Sequence, residues 1–180
     1  MRIIIFIAII SFGSISLFAQ KVNKDSWDTL DDFKAEEPFI IKNIIWLEKN
    51  PIATEQNDTK ALSENIINWL SNTTYISVIL DGVFLESLMN NKRFKYAEKF
   101  KVTYLFGKSL YIIQNQNAHN EVKASTRGII GMIRVYDELK LLDPSLSNSI
   151  LEKYKRLNSK DKLEKFVADR LAQSSTIISY

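Results

Sequence analysis

The stretch TTYISVILDGVFLESL (residues 73–88) supports two readings, and the choice decides whether the chain contains a sheet. Asp81-Gly82 between two β-branched, apolar runs is the signature of a tight hairpin. Such a hairpin would set Leu80 opposite Val83, Ile79 opposite Phe84 and Ser77 opposite Glu86. A hairpin alone is marginal in water and needs a third strand or a helix to lie on. No other part of the sequence offers a strand with turn signals at both ends. Read as a helix, Ile76, Ile79, Leu80, Val83, Phe84 and Leu88 surround an axis with few polar positions, as in an element packed on several sides. Gly82 inside that helix costs about 1 kcal/mol relative to Ala, against about 1.5–3 kcal/mol for each large apolar side chain buried. The stretch is therefore expected to be helical, and the chain all-α.

Helical spacing recurs on both sides of it. Residues 27–34 suggest a short first turn or two, and Pro38 suits the first position of a following helix, with Glu36 and Glu37 ahead of it where the dipole favours negative charge. Ile41, Ile44 and Ile45 form its inner stripe, and Asn50-Pro51 ends it. Leu62, Ile66, Trp69 and Leu70 repeat the spacing, up to Asn72. A core helix is expected over residues 94–114, with Ala97, Phe100, Tyr104, Gly107 and Tyr111 along one side. Asn117 or Asn120 can cap the next helix, expected over residues 122–141 with Ile129, Ile133 and Tyr136 inward. Its small residues Ala124, Gly128 and Gly131 predict close approach to Gly107. Two more helices follow, over residues 144–156 and 160–172, then a frayed tail. Seven helical segments joined by short loops imply an irregular helical bundle. An α-solenoid, TPR-like, is the alternative, although no repeat period emerges.

The N-terminus carries Arg2, an apolar run over residues 3–12 and then the smaller, more polar GSISLFAQ. This is the layout of a secretory signal peptide. Cleavage is expected after Ala19, with a cut after Ser16 as the alternative, since Leu17 is large for its position. The run is interrupted by Ser11, Gly13, Ser14 and Ser16, too soon for a spanning helix of about 20 residues. The absence of cysteine excludes a lipid anchor on that residue, a disulfide framework, a thiolate metal site and a thiol nucleophile. The expected organisation is a leader over residues 1–19, one helical domain over residues 20–173 and a flexible tail over residues 174–180. A chain of about 160 residues buries around two thirds of its unfolded surface, and the 46% hydrophobic content fits that.

Charge gives little direction to function. The chain has 24 basic and 21 acidic residues, a net +3 that becomes +2 once Arg2 leaves with the leader. The segment KRFKYAEKFK (residues 92–101) interleaves aromatics with lysines as some nucleic-acid binders do. However, Phe94, Ala97 and Phe100 fall on one helical face, so no nucleic-acid partner is expected. His119, in NQNAHNEV, lacks the nucleophile elbow or metal-ligand spacing that would give it work and reads as a loop histidine. GIIG at Gly128 lacks the strand and the Lys-Ser/Thr of a phosphate loop. Asp81 and Glu86 stand in the most apolar segment, with Arg127 and Arg134 as their natural partners. No catalytic, cofactor-binding or metal-binding residue is assigned.

The layout FLESL…YAEKFKVTYLFGKSLY…ASTRGIIGMIRVYDELK…LEKF resembles a loosely defined set of exported helical proteins from Gram-negative bacteria with no assigned activity. The resemblance rests on the packing residues Gly107, Tyr111, Gly128 and Tyr136 and implies no catalytic residue. The expected function is an exported module, periplasmic or secreted, that binds a protein or cell-envelope component without catalysis. The alternatives are an envelope hydrolase using two carboxylates and a small-molecule carrier with an enclosed cavity near Tyr104, Phe106 and Met132.

Overall fold

A computed structural model describes residues 27–51, 56–91, 94–116, 118 and 120–177; the expected leader, Asn117, His119 and the last residues of the expected tail lie outside them. The described residues form seven helices and no strand: α1 (Leu30–Lys49), α2 (Gln56–Asn72), α3 (Gly82–Met89), α4 (Ala97–Gln114), α5 (Glu121–Leu142), α6 (Ser149–Asn158) and α7 (Leu163–Ile177). The molecule is a helical bundle, as the periodicity implied.

Residues 73–88 follow neither reading in full. No glycine among the described residues, Gly82 included, has a positive φ, and the tight hairpin turn at Asp-Gly needs that conformation. Nor does one helix span the stretch: residues 73–81 are irregular and extended, and α3 begins at Gly82 with Asp81 as its N-cap. Gly82 therefore sits at a helix start rather than inside one. Ile79 is 70% exposed instead of buried. The physical reason lies in Asp81, whose carboxylate is drawn inward by other elements and does not cap α3.

Pro38 is likewise not a helix start but lies inside α1. Helix initiation moves upstream because Thr29 and Asp32 form a capping box: the Thr29 side chain accepts from the Asp32 N–H at 3.2 Å, and the Thr29 N–H donates to the Asp32 carboxylate at 3.0 Å. Phe33 is buried between Trp27 and Trp69, with ring centroids 5.7 and 6.1 Å away. An interior proline costs a helix about 3 kcal/mol. The cap, at about 1 kcal/mol, and the burial of Phe33, at about 1.5–3 kcal/mol, offset a cost of that size.

The remaining elements fall near their expected places. Asn120 caps α5 by accepting from the Lys123 N–H, and Asn148 caps α6 by accepting from the N–H groups of Ile150 and Leu151. α6 starts later than expected, leaving Leu146 buried in the preceding loop. α7 runs on to Ile177, into the segment expected to fray.

α4 and α5 form the central pair. A Cβ built on Gly107 would lie 2.8 Å from the Arg127 carbonyl and 3.0 Å from the Gly128 Cα. One built on Gly128 would strike the Tyr104 ring at 2.7 Å. The small-residue row thus serves close crossing, as the spacing implied. Two apolar clusters flank the pair. Phe84, Leu88, Phe100, Tyr104, Ile129, Met132, Tyr136, Leu151 and Val167 join α3, α6 and α7 to one side. Phe33, Ile40, Ile44, Ile66, Trp69, Phe106, Leu110 and Ala124 join α1 and α2 to the other.

Candidate functional site

Three features of the bundle could carry function: a buried polar cluster around Lys108, a cleft beside Glu48 and a groove between α3 and α7. The first is the most densely bonded. Lys108 lies one helical turn after Tyr104, on the inward face of α4, and its side chain is 1% exposed. Its ammonium donates to the Ile79 carbonyl at 2.6 Å, to Asp81 Oδ2 at 2.6 Å and to Glu121 Oε1. An ammonium has three donors, and all three are matched. Tyr104 Oη and Ser125 Oγ each donate to Asp81 Oδ2 at 2.8 Å. Burial pushes the Asp81 carboxyl up, but the hydrogen bonds from Lys108, Tyr104 and Ser125 outweigh it and hold the group below the usual carboxylate range. Burial pushes the Tyr104 phenol well above its ordinary value.

This geometry limits the chemistry. A serine nucleophile needs a neighbour free to take its proton, and the two acceptors of the Ser125 hydroxyl, Asp81 Oδ2 at 2.8 Å and Glu121 Oε1 at 3.3 Å, are both already engaged by Lys108. Asp81 is held ionised while accepting from three groups. The cluster therefore acts as a lock that fastens the extended segment before α3 to α4 and α5. Asp81 was expected to meet Arg127 or Arg134, and it meets neither. Glu86 is solvent-exposed.

Both arginines go instead to Glu48, at the end of α1. The Glu48 side chain is 3% exposed and accepts a bidentate pair from Arg127, at 2.7 and 2.9 Å, and a further bond from Arg134 at 2.9 Å. Fork geometry of this kind is the strong form of the ion pair. Gly131 makes room for it, since a Cβ there would lie 2.7 Å from Glu48 Oε1. Neither Lys108 nor Glu48 was singled out from the sequence. A signal existed: Glu48 continues the Ile40, Ile44 stripe at four-residue spacing, and Lys108 continues Phe100, Tyr104. A charge on an apolar stripe calls for a buried partner.

Beside Glu48, an open cleft of about 360 Å³ lies between α1, α2 and α4. Ile44, Leu47, Ile67, Val102 and Phe106 give it apolar walls, and Lys99 projects into it among them. Its carboxylates are all ion-paired: Glu48 with the arginines, Glu64 with Lys60 at 3.7 Å and Glu98 with Lys101 at 3.5 Å. Of the three residues expected to line an enclosed cavity, Tyr104 and Met132 are wholly buried in the core. Only Phe106 reaches the cleft.

A second concavity, about 720 Å³, runs between α3 and the end of α7. Leu80, Val83, Leu85 and Met89 line it together with Glu86, Lys101 and Arg170. Ile79 stands exposed next to it in sequence, and no backbone N–H of residues 76–80 donates to a main-chain carbonyl among the described residues.

Among the described residues no three His, Cys, Asp or Glu side chains converge to hold a metal ion, and no helix is long and apolar enough to cross a membrane. No protein-family model matches the chain, and no curated protein or solved structure is found to be similar to it.

Proposed function

We propose that the chain is an exported, non-catalytic binding module that docks an extended apolar segment of a protein partner along the groove between α3 and α7. The single observation carrying this reading is Ile79, a large aliphatic residue 70% exposed on an extended segment that leads into an apolar groove. Single exposed aliphatic side chains are ordinary, Leu141 at 76% being another. What sets Ile79 apart is the apolar groove that continues past it and gives a partner somewhere to bury it. The N–H groups of residues 76–80, none of which donates to a main-chain carbonyl among the described residues, add main-chain donors that an extended peptide could match. Lys101 pairs with Glu98 at 3.5 Å, so Arg170 and Glu86 leave the groove without net charge.

The hydrolase reading lacks support of this kind. Asp81, Asp143 and Glu152 are displaced downward by hydrogen bonds and cations that outweigh desolvation. A general acid for glycoside cleavage requires the opposite shift.

The docking reading is tested by photo-crosslinking in envelope extract. Protein carrying a photoreactive residue in place of Ile79 should yield a discrete adduct that unlabelled protein competes away and the Ile79→Lys variant does not. The same label at the exposed Lys160 should yield none. Equal adducts at both positions, or full competition by the lysine variant, would overturn the reading. Export is tested separately by N-terminal sequencing of the protein from its native host, where Gln20 is the expected first residue and retention of Met1 or Arg2 would refute cleavage.

A further inference from the structure

We infer that the cleft between α1, α2 and α4 binds a small amphiphilic monocarboxylate, its acid group on the Lys99 ammonium and its apolar tail against Leu47, Val102 and Phe106. This site shares no lining residue with the α3–α7 groove, so each reading stands or falls alone.

Lys99 is the key. It is half-buried, and its Nζ donates to the Pro51 carbonyl at 2.7 Å. That bond uses one of three N–H donors and its acceptor is neutral. Among the described residues every other charged side chain of the cleft already has an opposite charge: Lys60 has Glu64, Glu98 has Lys101, and Glu48 has two arginines. The Glu48 group itself carries a net positive charge. The cleft therefore presents one cation with unused donors beside a locally positive cluster, and an anion is what it lacks. Burial alone lowers the pKa of Lys99, because its ammonium is desolvated without a carboxylate in return.

The walls and the volume narrow the choice of anion. At about 30 Å³ per water-sized group, the cleft's volume of about 360 Å³ holds about twelve non-hydrogen atoms. Aliphatic and aromatic side chains form most of the surface, which favours a hydrocarbon tail. A dianion such as phosphate would find a single unpaired ammonium for its two charges and gain nothing from those walls. An eight- to ten-carbon acid satisfies both halves.

Calorimetric titration of the full chain with sodium octanoate tests this, using octanol and octylammonium as probes with the same tail and a different head. Saturable binding of octanoate is expected, about tenfold tighter than either control. Because a bound carboxylate restores the Lys99 proton affinity, octanoate should draw a proton onto the protein in alkaline buffer, seen as a dependence of the heat on buffer ionisation. Lys99→Met should weaken octanoate about tenfold, and Lys99→Arg should retain most of it. Val102→Trp, which fills the cleft and leaves Lys99 in place, should abolish binding. Circular dichroism melts of each variant confirm folding. Equal binding of octylammonium and octanoate, or unchanged octanoate binding by a folded Lys99→Met variant, would overturn the assignment.

Discussion

Gly107 and Gly128 meet backbone to backbone where α4 crosses α5, with the Gly128 Cα 3.0 Å from the point where a Cβ on Gly107 would stand. The two atoms that a methyl group on Gly107 would strike first, the Arg127 carbonyl oxygen at 2.8 Å and the Gly128 Cα, are main chain, so neither can swing aside. Gly107→Ala must separate the central helix pair, and overpacking of this kind costs about 1–3 kcal/mol. Chemical denaturation should show a lower midpoint with an unchanged slope. A midpoint equal to wild type would mean that the crossing is looser than described.

Lys108 is tied to two carboxylates of unequal burial, Asp81 at 13% exposure and Glu121 at 40%. Lys108→Met strands Asp81 in a poorly solvated position, and breaking such a pair costs about 3 kcal/mol, at the lower end of the usual range because Glu121 keeps water. Adding Asp81→Asn to Lys108→Met should return part of the loss. A double variant no more stable than the single one would refute the pairing argument.

The same pair sets an acid limit. Asp81 is held below its ordinary carboxylate value, so its contribution is fully present above the unfolded pKa of about 3.9 and disappears as pH falls through the lower, folded value. Thermal melts should therefore weaken with acidification below about pH 4, and Asp81→Asn should flatten that dependence. Asp143 and Glu152 shift in the same direction, but both sit near solvent and add less.

Gly131 faces the tip of a side chain rather than backbone, yet that tip is fixed. Glu48 Oε1 would lie 2.7 Å from a new Cβ, and three hydrogen bonds from Arg127 and Arg134 hold it. Gly131→Ala should cost about 1–3 kcal/mol. The loss should largely vanish in a Glu48→Ala background, where no carboxylate remains to be displaced. Additive losses in that cycle would show that Gly131 does not act through Glu48.

Asn43 on α1 is wholly buried, and neither its Oδ1 nor its Nδ2 has a hydrogen-bond partner among the described residues. Leaving such groups unmatched costs about 1–3 kcal/mol, and a leucine of similar size carries no such burden. Asn43→Leu is expected to raise the unfolding midpoint. A lowered midpoint would indicate a partner for Asn43 that the helix packing does not reveal.

Helix number, order and most inner faces were legible because the 3.6-residue period is a local property of the sequence. What escaped it depends on distant partners. Pro38 reads locally as a helix start, but Thr29 and the burial of Phe33 between two tryptophans start α1 earlier. Residues 73–81 read as helix or hairpin, but Asp81 is captured by Lys108, twenty-seven positions away along the chain. Arg127 and Arg134 were recognised as needing a carboxylate, and Glu48, seventy-nine positions before the first of them, supplies it. Charges that interrupt apolar stripes at Glu48 and Lys108 were the available clue, and the sequence alone could not say which charge meets which.

The saturation of Lys108 has a practical corollary for labelling. Acylating reagents attack the free amine, and exposed lysines such as Lys60, Lys95 and Lys165 should be modified while the protein is native. Lys108 is 1% exposed, with all three N–H donors engaged. Its rate of modification, followed by mass spectrometry, would then track how often the whole bundle opens, giving this chain a built-in gauge of its own breathing.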